Sequence, residues 1–222
     1  WNDVDGAEDL SNGRPYLVNA RAPGIIAKAA AEAGCKFIHF STDYVFDGRV
    51  GEYAEDDPTG PLSIYGGTKR IGEQAVLEHG GIVCRTSRLF GPSGTSSGSK
   101  ADFIGMLLGL IEKGGAIPLV DDEYGSPTLT GDVARTVLQM IVDQRPAGIY
   151  HLVNDGPVAS WYEFGREIVA GLGIDAKLVP VPAKAFPRPA PRPKIVRLFN
   201  TKLPMLRGRD TALTEYLATL RP

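Results

Sequence analysis

The 222-residue chain has only two cysteines, Cys35 and Cys84. That is too few for a disulfide framework or a cysteine-built metal centre. Each adjoins or lies in an apolar stretch, so both are expected as buried free thiols in a reducing compartment, the cytoplasm. Charge of either sign is not in excess: 24 Lys and Arg face 26 Asp and Glu, a net −2. Such a balance gives no reason to expect nucleic acid or an anionic membrane as partner. No apolar run approaches the roughly 18 residues of a membrane span. No signal-peptide pattern precedes the first element. Histidine is scarce too: His39 and His151 sit inside strand patterns and His79 near a helix end, none with an evident partner acid. All three read as structural. The acidic run Asp121-Asp122-Glu123 reads as a solvated turn, because a hard cation needs ligands fanned around one point. No metal is expected.

What is present centres on residues 37–69. Phe37-Ile38-His39-Phe40 reads as a buried strand that ends in Ser41-Thr42-Asp43-Tyr44. A Gly/Pro/Asp-rich loop follows, and a helix is predicted from Ser63 to about Glu78. In an open α/β sheet, ligands bind just beyond the carboxyl ends of strands, so the hydroxyls of Ser41 and Thr42 face a candidate site. Tyr65 and Lys69 are four apart and share a helix face. A free phenol ionises near pH 10, and a nearby ammonium favours the phenolate, so Lys69 is expected to lower Tyr65. General acid catalysis gains as that value approaches the working pH.

Elsewhere helices and strands alternate. Helix signals begin at Ala22-Pro23, with Ile25, Ile26, Ala29, Ala30 and Ala33 as the buried stripe and Gly34 as the stop. Asn19 reads either as an entry cap for that helix or as part of the site. Strand Gly81–Thr86 leads to the Ser-rich loop Gly91–Gly98, expected as a mobile substrate-side loop. A helix containing Phe103, Met106, Leu107 and Leu110 follows, then a helix from Gly131 to about Val142 and a strand at 148–153. Ser160 is a candidate cap for the helix starting at Trp161. Residues 179–193 are proline-dense and end in Arg192-Pro193. They read either as a polyproline ligand or as an intramolecular segment, and the second is favoured.

The order of strand, Ser41-Thr42-Asp43-Tyr44-Val45-Phe46-Asp47-Gly48, then Tyr65-Gly66-Gly67-Thr68-Lys69 with Gly72-Glu73, resembles the short-chain dehydrogenase/reductase superfamily. With Arg85-Thr86-Ser87 and Tyr124-Gly125-Ser126-Pro127-Thr128, it resembles in particular the dTDP-4-dehydrorhamnose reductase family. The resemblance implies a Rossmann-like, doubly wound parallel α/β sheet with a smaller α/β substrate-binding part made of interspersed segments. Residues 1–90 and 131–154 would be the carboxyl-terminal part of the dinucleotide domain. Residues 91–130 and 155–222 would be the substrate-binding part. It further implies NADPH or NADH as cofactor and reduction of the 4-keto group of a nucleotide-activated deoxysugar. Thr42, Tyr65 and Lys69 would be catalytic. Ser41, Tyr65, Lys69 and Asn19 would hold the cofactor, Asn19 through a water near Lys69. Asn2, Val4, Tyr44, Arg88 and Arg192 would contact the nucleotide sugar, and a homodimer is allowed.

The superfamily's Gly-x-x-Gly-x-x-Gly turn, which meets the pyrophosphate at a helix N-terminus, does not occur before Phe37. The expectation is therefore a chain that is the carboxyl-terminal part of a longer protein, inactive by itself. Two alternatives remain. One is an epimerase or dehydratase of the same superfamily, although Tyr44 stands where dehydratases put the second acid after Asp43. The other is a non-catalytic subunit resembling the regulatory subunit of animal methionine adenosyltransferase. Arg88 occupies the place of a sugar-contacting Trp in the family, which opens the identity of the sugar and the nucleotide.

Overall fold

The computed structural model describes residues 1–92, 94 and 101–220. Most of the Ser-rich loop expected at Gly91–Gly98 thus lies outside the described residues. The framework is a three-stranded parallel sheet in the order Ile38–Thr42, Ile82–Thr86, Gly148–His151. Every residue of the middle strand is buried, as expected for a parallel strand covered on both faces. Successive side chains alternate between those faces. Val83 packs with Ala27 and Val76 of the helices Ala22–Glu32 and Ile64–Glu78. Ile82 and Cys84 pack on the other side with Val133 and Met140 of the helix Thr130–Val142. Helices on both faces make the sheet doubly wound.

A second core joins the helices Phe103–Lys113, Trp161–Leu172 and Arg209–Ala218 around Phe90, Leu107, Leu119, Phe164 and Leu213. It includes the parallel pair Ile117–Val120 with Leu178–Val181. Ser160 caps its helix through a reciprocal box with Glu163, which satisfies two otherwise orphaned N–H groups. Val196–Leu198 returns to pair with Gly51–Tyr53, and its side chains pack with Val45 and Phe46.

Several local expectations are corrected. The helical run begins at Arg14, not Ala22, with Pro15 in its first turn and a π turn over Leu17–Arg21. Pro23 lacks an N–H and its ring crowds the carbonyl four residues back, so a straight helix cannot pass it unchanged. The wider turn is where that misfit is absorbed. Asn19 lies inside this turn and is therefore not an entry cap. Ile25 and Ile26 are 60% and 51% exposed, while Pro23 and Ala27 are the buried residues. The reason is close packing through small groups. A Cβ on Gly72 would lie 2.1 Å from the Asn19 carbonyl oxygen, and one on Gly24 would lie 2.8 Å from the Ala75 Cβ. Helices that approach at these points turn their bulky residues outward. Phe40 is 48% exposed because its strand is an edge of the three-stranded sheet. Cys84 is buried as expected, but Cys35, just beyond the helix, is exposed. Glu123 is not a solvated turn residue: it is buried and paired with Arg188.

Candidate active site

The strand Ile38–Thr42 ends in a short 3-10 turn, Asp43–Val45, begun by the Thr42 hydroxyl accepting from the Tyr44 N–H at 3.2 Å. The helix Ile64–Glu78 starts beside it. Ser63 Oγ accepts from the Gly66 N–H at 3.1 Å, and Glu8 takes the Ile64 N–H at 2.7 Å. A Cβ on Gly66 would lie 2.3 Å from the Tyr44 carbonyl oxygen, so the first turn of this helix rests directly on the strand-end backbone. Thr42, Tyr44 and Tyr65 are thereby brought together. The two tyrosine rings meet edge to face, 5.9 Å apart, a favoured aromatic geometry.

Burial pushes the Tyr65 phenol up to about 12, reinforced by the charges of Asp43 and Tyr44, while its hydrogen bond with Thr42 pulls the other way. The expected lowering by Lys69 is not observed. The Lys69 ammonium is turned toward the strand, donating to the Phe40 carbonyl at 2.5 Å with His39 Nε2 at 3.2 Å. Burial brings Lys69 down to about 8, and Glu73, one helical turn on, opposes that. Asn19 is buried beneath the same helix, its amide donating to Thr68 Oγ1 at 3.4 Å and to the Trp1 carbonyl at 3.1 Å.

Asp43 is fully enclosed. It accepts from Thr42 Oγ1 at 3.1 Å and from Ser87 Oγ at 2.6 Å, and burial raises its carboxyl above the usual range. Burial also raises the Tyr44 phenol, and Asp43 adds to it. Arg192 grips Asp5 with two 2.7 Å hydrogen bonds and also interacts with the Tyr44 hydroxyl. Those Arg192 bonds hold the Asp5 carboxyl below its ordinary value. Together with Arg188–Glu123, they seat the proline-rich segment on the chain itself, as the intramolecular reading expected. Val4 is half-buried in the same loop as Asp5, but Asn2 is exposed.

Arg88, expected to contact the nucleotide sugar, is engaged within the chain. It donates to the Ala159 carbonyl at 2.6 Å and the Glu123 carbonyl at 2.8 Å, and its guanidinium lies 4.3 Å from the Trp161 ring centre. Its backbone is left-handed, φ +42°, a conformation a non-glycine residue adopts at a cost. The surrounding frame holds the side chain in place. Beside it a cavity of about 1010 Å³ opens, apolar in character, lined among others by Phe103, Met106, Leu119, Trp161, Phe186 and Arg188.

The site fits a dinucleotide's reactive end on one specific observation. Ser41 Oγ is buried at the strand terminus with no hydrogen-bond partner, and such orphaned hydroxyls are rare in native proteins. Sequence reasoning missed Asp5, because its partner lies 187 positions away. It also missed the pairing of Glu73 with Arg85, although Glu73 follows Lys69 by one helical turn.

Comparison with known proteins identifies the family. The family model described as RmlD substrate binding domain matches residues 1–220. A dTDP-4-dehydrorhamnose reductase of Mycolicibacterium smegmatis is 41% identical over 99% of this chain and 68% of its own length. A probable dTDP-4,6-dihydroxy-2-methyloxan-3-one 4-ketoreductase of Streptomyces antibioticus is 40% identical, over 97% of this chain and 74% of its own. Among solved structures, a Bacillus anthracis dTDP-4-dehydrorhamnose reductase in complex with NADP superposes with a TM-score of 0.90. The two are 29% identical, over 99% of this chain and 78% of that one.

Proposed function

This chain belongs to the RmlD substrate binding domain family, and we propose that it carries the proton-transfer site of an NAD(P)H-dependent sugar-nucleotide 4-ketoreductase. The reaction is reduction of the 4-keto group of a dTDP-4-dehydrorhamnose-type substrate, a step of dTDP-rhamnose biosynthesis. One observation carries it: the Tyr65 ring, packed edge to face on Tyr44 beside Thr42 at a strand end, with Lys69 one helical turn behind.

When bound, the nicotinamide supplies the hydride. Ser41, Tyr65 and Lys69 would hold it, with Asn19 supporting the helix from behind. A phenol with a pKa of about 12 is fully protonated at neutral pH, the form a donor needs. As the ketone oxygen gains charge it becomes a far stronger base than water, and Tyr65 passes its proton to that oxygen. Thr42 hydrogen-bonds the same oxygen. Lys69, whose ammonium donates to the Phe40 carbonyl, would hold the nicotinamide ribose.

On the substrate side, Tyr44 and Arg192 present a phenol and a guanidinium held by Asp5, with Val4, Asn2 and Arg88 as further candidates. Residues 1–90 and 131–154 are proposed as the dinucleotide-domain part and 91–130 with 155–222 as the substrate part. The shared core of the latter around Leu107 and Phe164 supports that division. No described helix is long and apolar enough to cross a membrane. A cytoplasmic reaction without nucleic acid is proposed, and sizing would test for a homodimer.

The deciding experiment supplies the intact protein with NADPH and dTDP-4-dehydro-6-deoxy-L-mannose. One NADPH should be oxidised for each alcohol formed, and none should be consumed with a sugar nucleotide lacking the ketone. Binding of the sugar nucleotide with no NADPH oxidation would favour the non-catalytic subunit instead.

A further inference from the structure

Lys69 Nζ has two neighbours on the adjoining strand, the Phe40 carbonyl oxygen at 2.5 Å and His39 Nε2 at 3.2 Å. An ammonium carries three donors and no lone pair, so both neighbours must accept. His39 Nε2 is therefore bare, and the ring proton sits on Nδ1. We propose that His39 is a positioning residue for Lys69: a neutral, Nδ1-protonated imidazole that anchors the ammonium at the strand end and keeps it charged. This rests on the reductase reading of Tyr65 and Lys69.

The placement follows from the strand. His39 is in register with Val83, and Val83 packs on Val76 of the helix that carries Lys69. His39 therefore faces that helix, as does Ser41 two residues on. Phe37, two residues before, stacks at 6.3 Å and 25° to the imidazole and fixes its plane. Burial, then the Lys69 charge, takes His39 down to about 4, so the ring stays neutral across the working range. Among the described residues, the other charged side chain facing Lys69 is Glu73 on its own helix. Among the described residues, Lys69 is the charged group that faces His39.

The consequence is measurable because burial brings Lys69 to about 8. With ionisation that close to neutrality, loss of one acceptor converts part of the ammonium to amine at working pH. In the intact protein with histidine labelled at nitrogen, ¹⁵N NMR should find His39 neutral with Nε2 unprotonated from about pH 5.5 to 8. A proton on Nε2 overturns the proposal without any variant. His39→Phe keeps the stacking and removes the acceptor. The alkaline limb of kcat should then move down by about half a pH unit, roughly threefold in acid constant, with KM for the sugar nucleotide unchanged. His39→Gln, which restores an acceptor, should return the limb toward the parent. A His39→Phe profile superimposable on the parent's overturns the proposal. If His39→Phe does not fold, the nitrogen spectra and His39→Gln decide. Lys69→Ala separates the two levels. If it abolishes turnover while His39→Phe is parent-like, only the His39 role fails. If it leaves turnover intact, the reductase reading fails, and the nitrogen spectra still decide the contact.

Discussion

Glu73 and Arg85 meet as a two-pronged ion pair at 2.9 and 2.8 Å, with side chains 0% and 2% exposed. The pair bolts the helix carrying Tyr65 and Lys69 to the middle strand of the sheet. Arg85 also donates to the Glu55 carbonyl at 3.2 Å. The Glu55 carboxylate in turn receives the His151 N–H and the Thr201 hydroxyl. Breaking a buried pair from one side leaves a charge with no solvent and no partner. Glu73→Ala is therefore expected to cost about 3–5 kcal/mol in urea unfolding. A loss below about 1 kcal/mol would mean that water reaches Arg85 and that the bolt is not buried in solution.

Tyr65→Phe should lower turnover by about 10²–10⁴-fold while the unfolding midpoint stays near the parent's. The substitution removes one oxygen and leaves the edge-to-face contact with Tyr44. Steady-state rates within about threefold of the parent would exclude Tyr65 as the donor.

Arg88→Met keeps bulk against Trp161 but leaves the Ala159 and Glu123 carbonyls without their donor. Each unmade bond to a buried acceptor costs about 1–3 kcal/mol, so denaturant stability should fall first and substrate preference only second. Arg88→Trp discriminates further. An altered preference among 4-keto sugar nucleotides at unchanged stability would show that Arg88 reads substrate and is not merely a brace.

Acid should weaken the fold before most carboxylates titrate. Burial, then the Arg85 charge, depresses His151 to about 4, whereas an unfolded histidine ionises near 6.5. Between those values the unfolded chain binds a proton that the native protein does not, so stability falls as pH drops. That contribution is absent above about pH 7 and reaches about 1.4 kcal/mol at pH 5.5 for His151 alone. His39 acts in the same direction. Urea unfolding at both pH values checks it, and His151→Asn should roughly halve the difference, leaving the His39 contribution. An unchanged midpoint would mean that native His151 is protonated.

Much of this architecture was legible in the residues. The polar run Ser41–Tyr44 after an apolar strand, and the four-residue spacing of Tyr65 and Lys69, pointed to the candidate site where Thr42, Tyr44 and Tyr65 meet. The cap at Ser160 was local and therefore readable, whereas Ser63, expected inside its helix, proves to be the cap. The outward face of Ile25 and Ile26 was not. An apolar stripe signals burial only when the partner helix is distant enough to receive side chains, and Gly72 brings the Asn19 backbone too close for that. Nor could spacing reveal where the Lys69 ammonium points. Four residues put it on the Tyr65 face of the helix, but the ammonium donates to the Phe40 carbonyl. Glu123 escaped for a third reason: a run of three acids gives no hint that a guanidinium 65 positions on will bury one of them.

The Asp5–Arg192 clasp has a consequence in time. A chain made at about 5–20 residues per second exposes Asp5 roughly 10–40 s before Arg192 exists. Glu55 waits comparably for Thr201, 146 positions on. Contacts of such separation close late because loop entropy must be met before they reward it. Tyr65 and Lys69 can therefore sit on a formed helix well before anything secures Tyr44 from the substrate side. A nascent chain that stalls before the proline-rich segment docks has the helix of Tyr65 and Lys69 without the Asp5–Arg192 clasp.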